Sequence, residues 1–388
     1  MVGGNFDMVA RTFQGLETIL AAELEQLKVE NIRIRKRAVQ FTGDSKALYK
    51  TNYCCRTALN ILVPIHEFTA TGPETLYNYL LKFQWDQFMD IKKSFLVKVT
   101  INSKYFKHSQ YVVHKIKDAI SDYFTRKTML RPSVDRINPD IVFNLHVSHD
   151  KCTLSLDSSG EPLFKRGYRV ESGEAPLNEI LAAGMVLISG WDGTGDLFDL
   201  MCGSGTILAE AGLIGMNVAP GSFRQNFGFM KWKDYDPDQF DIIKEESEKK
   251  INNNPSFTLH GNDIHRHVIR KAQKNMNRAG LAKFVKLSTG SAFDFIPKVQ
   301  HGKLIMNPPY GERLKDDDVH FLYRQIGTAL KTHFTGFEAW LLSSNKDAIK
   351  HVGLKPSFNT VLYNGPLECK FLKYELYEGS KKSKDIKK

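Results

Sequence analysis

Residues 196–211 constrain this chain more than any other stretch: Asp196-Leu197-Phe198-Asp199-Leu200-Met201-Cys202-Gly203-Ser204-Gly205-Thr206 runs into Ile207-Leu208-Ala209-Glu210-Ala211. An apolar run closed by a carboxylate, two glycines one residue apart, and then an Ala/Leu-rich stretch read as strand, tight turn and helix. Gly203 and Gly205 would leave bare backbone at a helix N-terminus, where a ligand can lie against amide N–H groups. Leu208 stands where a nicotinamide fingerprint has its third glycine, and no Gly-Lys-Ser/Thr ending completes a phosphate-binding loop. Asp263, in His260-Gly261-Asn262-Asp263-Ile264, ends a second short strand pattern and can take two ribose hydroxyls. It can equally cap the helix that the Val268–Met276 pattern predicts.

A third feature is Asn307-Pro308-Pro309-Tyr310, directly after the apolar Leu304-Ile305-Met306. Two prolines fix φ and donate no N–H, so the Pro308 carbonyl and the Asn307 side chain can both act as outward acceptors, and Tyr310 adds a stacking face. A ring-conjugated amine is a poor nucleophile. Two acceptors on its hydrogens favour the tetrahedral nitrogen that attack on a methyl donor requires. Those acceptors alone do not separate guanine, adenine and cytosine; Glu312, facing the adjacent N1–H and N2 donors of guanine, would favour guanine, and a surface or Arg313-paired charge is its plain alternative.

Towards the N-terminus, Leu16, Ile19, Leu20, Leu24 and Leu27 mark a helix, residues 31–41 read as strand, and a second helix is expected around Lys46–Ala58. Gly72-Pro73-Glu74 starts a helix, Phe95, Val97, Val99 and Ile101 alternate as a strand, and Ser109 is placed to cap a long helix. Ile141–Val147 and Cys152–Leu156 alternate about the turn at residues 149–151. Lys165-Arg166-Gly167-Tyr168-Arg169 reads as an interdomain connection. Beyond it strands alternate with helices, the pattern of a doubly wound parallel sheet, whose switch point would gather Asp199, Asp263 and Asn307.

In this combination the chain resembles the S-adenosylmethionine-dependent methyltransferases of exocyclic base amines. Ala175-Pro176-Leu177-Asn178-Glu179-Ile180-Leu181-Ala182-Ala183, Ala219-Pro220-Gly221 with Phe227, Phe229 and Trp232, and Asn307-Pro308-Pro309-Tyr310-Gly311-Glu312-Arg313-Leu314 resemble the bacterial large-subunit ribosomal RNA guanine-N2 methyltransferases. Phe13-Gln14-Gly15-Leu16-Glu17 through Leu24, and Cys55-Arg56-Thr57-Ala58 through Pro64, resemble the start of the THUMP RNA-binding module that precedes the catalytic domain in that family. Two departures are visible. Asp199-Leu200 replaces the usual Asp-Pro, and Ser291 stands in Gly290-Ser291-Ala292-Phe293 where an acid usually meets the adenine ring, with Asp294 close by.

The resemblance implies an α/β Rossmann-like methyltransferase domain with a doubly wound sheet, preceded by α+β ferredoxin-like and THUMP RNA-binding domains. The expected boundaries are a ferredoxin-like part over 1–66, THUMP over 67–158, a linker over 159–175, the catalytic domain over 176–379 and a basic tail over 380–388. It implies a cofactor set of Asp199, Gly203, Gly205, Thr206, Asp263, Ile264, Ser291, Ala292 and Asn307, and a catalytic set of Asn307, Pro308, Pro309 and Tyr310. The implied reaction is methyl transfer to N2 of a guanosine in 23S ribosomal RNA, free or in a large-subunit precursor. A transfer RNA guanine-N2 enzyme and a non-catalytic ribosome-assembly factor are the alternatives. The second methyltransferase activity to which such domains can be fused is expected to be absent.

A net charge of +11 over 388 residues suits a polyanionic partner. Lys104, Lys107, Lys115, Arg126, Lys127, Arg131, Lys165 and Arg166 are the expected RNA contacts, with Tyr105, Phe106 and Tyr111 interleaved. No run of about 18 apolar residues and no charged-then-apolar leader is present, so a cytoplasmic protein without membrane contact is expected. Five cysteines without a Cys-x-x-Cys pair argue against a disulfide framework, and Cys202 is expected as buried filler. The scattered histidines suggest no metal site.

Overall fold

The computed structural model describes residues 4–171, 176–309 and 316–378. The chain divides into two compact units that are not contiguous in sequence. One takes the chain up to Thr12, Leu20–Lys165 and Arg224–Glu246; the other takes Phe13–Ile19, Arg166–Phe223 and the chain from Ser247 onward.

The elements up to residue 157 are β1 (Phe6–Arg11), α1 (Glu17–Gln26), β2 (Glu30–Arg35), β3 (Ala38–Gly43), α2 (Ser45–Cys54), β4 (Asn60–Thr69), α3 (Pro73–Leu80), β5 (Phe95–Asn102), α4 (Ser109–Thr128), β6 (Ile141–Ser148) and β7 (Lys151–Asp157). Their strands form one sheet in the order β2-β3-β1-β4-β7-β6-β5. β4 pairs with β1 through Asn60–Leu62 and with β7 through Leu62–Thr69. The boundary expected at residue 66/67 therefore falls inside a ten-residue strand that serves both neighbours.

Local chemistry accounts for several element ends. The strand expected over residues 31–41 is a hairpin, reversed at Arg37 with φ +59°. α2 stops at Cys54 rather than Ala58, because the N–H groups of Arg56 and Thr57 are taken by the half-buried Glu23 carboxylate at 2.7 and 3.0 Å. His108, not Ser109, occupies the cap position of α4 and makes no side-chain cap bond. α4 instead rests on its buried stripe of Val112, Ile116, Ala119, Ile120 and Phe124.

Residues 224–246, expected in the catalytic half, complete the first unit. Phe229 stacks on Tyr49 at 4.5 Å, and Phe240 stands edge-on to Tyr49 and Tyr53 at 5.9 and 5.8 Å.

The remaining elements are α5 (Glu179–Ile188), β8 (Gly195–Asp199), α6 (Thr206–Gly215), α7 (Pro237–Glu248), β9 (Phe257–Asp263), α8 (Arg266–Arg278), β10 (Val285–Thr289), β11 (Lys303–Met306), α9 (Asp316–His333), β12 (Glu338–Ser343), α10 (Lys346–Lys350), β13 (Phe358–Asn364) and β14 (Leu367–Glu375). The second sheet runs β10-β9-β8-β11-β12-β14-β13, parallel as far as β12, with β14 antiparallel to both neighbours. The chain leaves β8 towards β9 and β10 and returns on the other side as β11. The order therefore reverses between β8 and β11, and the crevice at their carboxyl ends is where such sheets bind ligands. A core of Phe198, Leu304, Met306, Tyr323, Ile326, Leu330 and Phe334 holds these strands against α9. Among the described residues no helix is long and apolar enough to cross a membrane.

Candidate functional site

The carboxyl ends of β8 and β9 are bound into one unit by the loop that leads into α6. Gly203 and Gly205 adopt φ of +54° and +82°, the left-handed region that glycine enters without steric cost. The two serve different ends. A Cβ on Gly203 would meet nothing within 4 Å, so its bare backbone faces open space, whereas a Cβ on Gly205 would come within 2.9 Å of the Met276 terminal methyl and 3.3 Å of Ala272 on α8.

Asp263 lies at the end of β9, and His265 rather than Asp263 occupies the cap position of α8. One carboxylate oxygen accepts the Gly203 N–H at 3.0 Å, which ties β9 to the glycine loop, and the other accepts the His265 N–H at 3.0 Å ahead of α8. Each oxygen keeps a further lone pair for a hydroxyl. Ile264, immediately after it, is 66% exposed, an apolar face beside the acid.

Asp199 closes β8 and is buried. Burial pushes its carboxyl up to about 8, the neighbouring Asp263 charge adds to the rise, and the Met201 N–H on Oδ1 at 3.3 Å opposes it. A carboxyl held this way gains from a cation brought alongside. Burial also raises the Cys202 thiol well above its usual range, with Asp199 and Asp263 adding to it, so the thiol stays protonated and Cys202 behaves as filler.

Ser291 and Ala292 follow β10. The Ser291 hydroxyl accepts the Phe293 N–H at 3.1 Å, and Ala292 is nearly buried. Asn307 follows β11 at the other lip of the crevice. Its side-chain oxygen is buried and has no hydrogen-bond partner among the described residues, an acceptor left free where such groups are almost always satisfied. Pro308 is buried and Pro309 exposed. Tyr310, Gly311, Glu312, Arg313 and Leu314 lie outside the described residues.

Two buried asparagines that the sequence reading missed hold these loops. Asn262 donates to the Gly290 carbonyl at 2.9 Å and accepts from the Ser288 hydroxyl at 2.8 Å, joining β9 to β10. Asn275 donates to the Ser204 carbonyl at 3.0 Å and accepts the Val170 N–H at 2.8 Å. The polar residue in the strand pattern before Asp263 was the one available signal. Thr206, the first residue of α6, accepts from Arg169 at 3.0 Å, and Arg169 also pairs with Glu179 at 3.1 Å.

The expected RNA contacts divide. Lys104 and Lys107 are exposed, the former 5.1 Å over the Tyr105 ring, and Arg126 is exposed in the last turn of α4. Lys115, Lys127, Arg131 and Lys165 are paired with Glu74, Asp86, Asp122 and Glu161. Pairs of this kind at the surface are weak and exchange readily for phosphate. Arg166 is corrected: it is 2% exposed and faces Glu210 at 3.5 Å, so it has nothing to offer RNA. Phe106 is likewise buried and presents no stacking face. Among the described residues no group of three or more His, Cys, Asp or Glu side chains could hold a metal ion.

Three family models match the chain: an RMKL-like methyltransferase domain over residues 166–373, a THUMP domain over 70–157 and an RlmL ferredoxin-like domain over 7–62. The "Putative RNA methyltransferase slr0064" of Synechocystis sp. is 36% identical over 96% of this chain and 96% of its own. The "Ribosomal RNA large subunit methyltransferase K/L" of Methylococcus capsulatus is 35% identical over 95% of this chain, which spans 51% of that relative's length. Among solved structures, SMU.472, "a putative methyltransferase complexed with SAH", superposes with a TM-score of 0.87 at 28% identity, covering 98% of this chain and 100% of that one.

Proposed function

The chain belongs to the RMKL-like methyltransferases that carry THUMP and RlmL ferredoxin-like domains, and from that premise we propose that it methylates the exocyclic N2 of a guanosine in 23S ribosomal RNA. Its cofactor is S-adenosylmethionine. The large-subunit naming of the relatives supports ribosomal RNA as the substrate. The observation that carries the chemistry is the buried Asn307 Oδ1 at the lip of the switch-point crevice, an acceptor without a hydrogen-bond partner among the described residues.

The residues present fit the cofactor. The open face of Gly203 leaves room against bare backbone, the Asp263 carboxylate keeps lone pairs for ribose hydroxyls, Ile264 offers an apolar face to an adenine ring, and the buried Asp199 carboxyl favours a cationic neighbour. Bound there, S-adenosylmethionine supplies an electrophilic methyl group. Asn307 Oδ1 accepts one hydrogen of the target amine and the Pro308 carbonyl the other, which draws the nitrogen lone pair out of conjugation. Tyr310 stacks on the flipped base. The amine loses its proton after it becomes cationic, so positioning rather than a strong base sets the rate.

Asn307→Ala is expected to lower single-turnover methylation by about 10²–10³-fold, the cost of one lost transition-state hydrogen bond, while calorimetric cofactor affinity stays within about twofold. Tyr310→Phe is expected to be milder than Tyr310→Ala, because the stacking face survives. Full activity in Asn307→Ala contradicts the mechanism.

A further inference from the structure

The loop between α4 and β6 breaks two rules of soluble surfaces. Met129, Leu130, Val134 and Ile137 are 83%, 59%, 41% and 92% exposed within one short segment, whereas a single exposed aliphatic would need no explanation. Met129 also closes α4 at φ +61°, a conformation that favours glycine or asparagine.

This segment is held in place. The Ser133 carbonyl accepts the Phe95 N–H at 2.9 Å and the Asp135 N–H donates to the Phe95 carbonyl at 3.2 Å, which anchors the loop on β5. The Asp135 carboxylate accepts the N–H groups of Ile137 and Asn138 at 2.8 and 3.0 Å. The apolar side chains are thus presented on a fixed backbone.

The charges around them decide the occupant. Arg126, Lys127, Arg131 and Arg136 flank or interleave the apolar residues along the chain, and Asp135 is the only acid between 126 and 137. Its carboxylate is already engaged by two backbone N–H groups. The Lys127–Asp86 and Arg131–Asp122 pairs join exposed cations to half-buried carboxylates, and Arg136 makes no ion pair among the described residues.

We propose that residues 129–137 form a wedge for RNA, in which Met129, Leu130 and Ile137 enter an unstacked step at a bulge or hairpin loop while Arg131 and Arg136 hold the flanking phosphates. The proposal deepens the reading of this chain as an RNA methyltransferase and rests on it. Aliphatic side chains can open a base step and fill it, and arginines gain by releasing counterions from the phosphates beside it.

The test uses the full chain and two labelled RNA probes, a hairpin with an unpaired loop and its fully paired stem, followed by fluorescence anisotropy across a salt series. Met129→Ser/Ile137→Ser is expected to weaken hairpin binding about tenfold, leave stem binding unchanged, and leave the slope of log K against log salt unchanged. Arg131→Ala/Arg136→Ala is expected to reduce that slope by about 1.5 on both probes. All four substituted positions are exposed, and an unfolding midpoint equal to wild type establishes that the two double variants fold. Wild-type hairpin affinity in the serine variant overturns the proposal and leaves the loop as a protein contact. Failure of the wild-type chain to methylate ribosomal RNA would strike the functional reading instead, and that is read separately from binding.

Discussion

At the residue scale, two carboxylates divide the work at the cofactor crevice. Asp263 is both a candidate ribose ligand and the acceptor of the Gly203 N–H. Asp263→Ala should cost about 1.5–3 kcal/mol in S-adenosylmethionine binding per charged hydrogen bond lost, and unchanged cofactor affinity by calorimetry would remove it from the site. Asp199 makes a pH-dependent prediction. Its folded value of about 8 lies above its ordinary 3.8, so the folded chain retains a proton that the unfolded chain releases. The stability this contributes is complete below about pH 4 and is lost as pH rises through about 8, at up to about 1.4 kcal/mol per pH unit. Asp199→Asn stays neutral throughout. Its melting temperature should therefore gain on wild type steadily between pH 5 and pH 8, and a pH-independent difference would show that the carboxyl is already ionised. Asp199 and Asn307 were legible because each ends an apolar run, and Asp263 because it ends a short strand pattern. Asn262 left only a polar residue inside a strand pattern and Asn275 left nothing, because a buried amide satisfied by distant groups leaves no periodic mark in the chain. Arg166 was misread for a related reason: its partner Glu210 is 44 residues away.

At the element scale, strand–loop–helix at β8–α6 sets the geometry, and its two glycines should separate experimentally. Gly203→Ala places a methyl into open space at φ +54°. It should cost about 1–2 kcal/mol of strain and weaken cofactor binding strongly, because the methyl occupies the face the ligand needs. Gly205→Ala carries similar strain, with the Met276 methyl able to move aside, and should show mainly a lower melting temperature. Equal loss of cofactor affinity in both would contradict the division of roles. Most elements followed from hydrophobic period and turn residues, as for α4, β5 and the β6–β7 hairpin. The early end of α2 did not, because Glu23 takes the N–H groups of Arg56 and Thr57 from outside the local sequence.

At the scale of the whole molecule, the doubly wound sheet and the N-terminal α+β half were readable from the order of elements, while the membership of residues 224–246 was not. Phe227 and Phe229 were read among the residues that carry the family resemblance, inside the expected catalytic domain, yet they and Phe240 are 4%, 0% and 3% exposed in the first unit, packed on Tyr49 and Tyr53. A fragment starting near Ser159 would lose those partners and should aggregate in size-exclusion chromatography; a monomeric, well-folded fragment would show that the aromatic cluster is dispensable. The central claim concerns the product formed by the intact chain. The most direct measurement is mass spectrometry of nucleosides from 23S ribosomal RNA and transfer RNA, each incubated separately with the full-length protein and S-adenosylmethionine. The account predicts N2-methylguanosine in the ribosomal RNA and none in the transfer RNA. N6-methyladenosine, or methylation confined to transfer RNA, would contradict it.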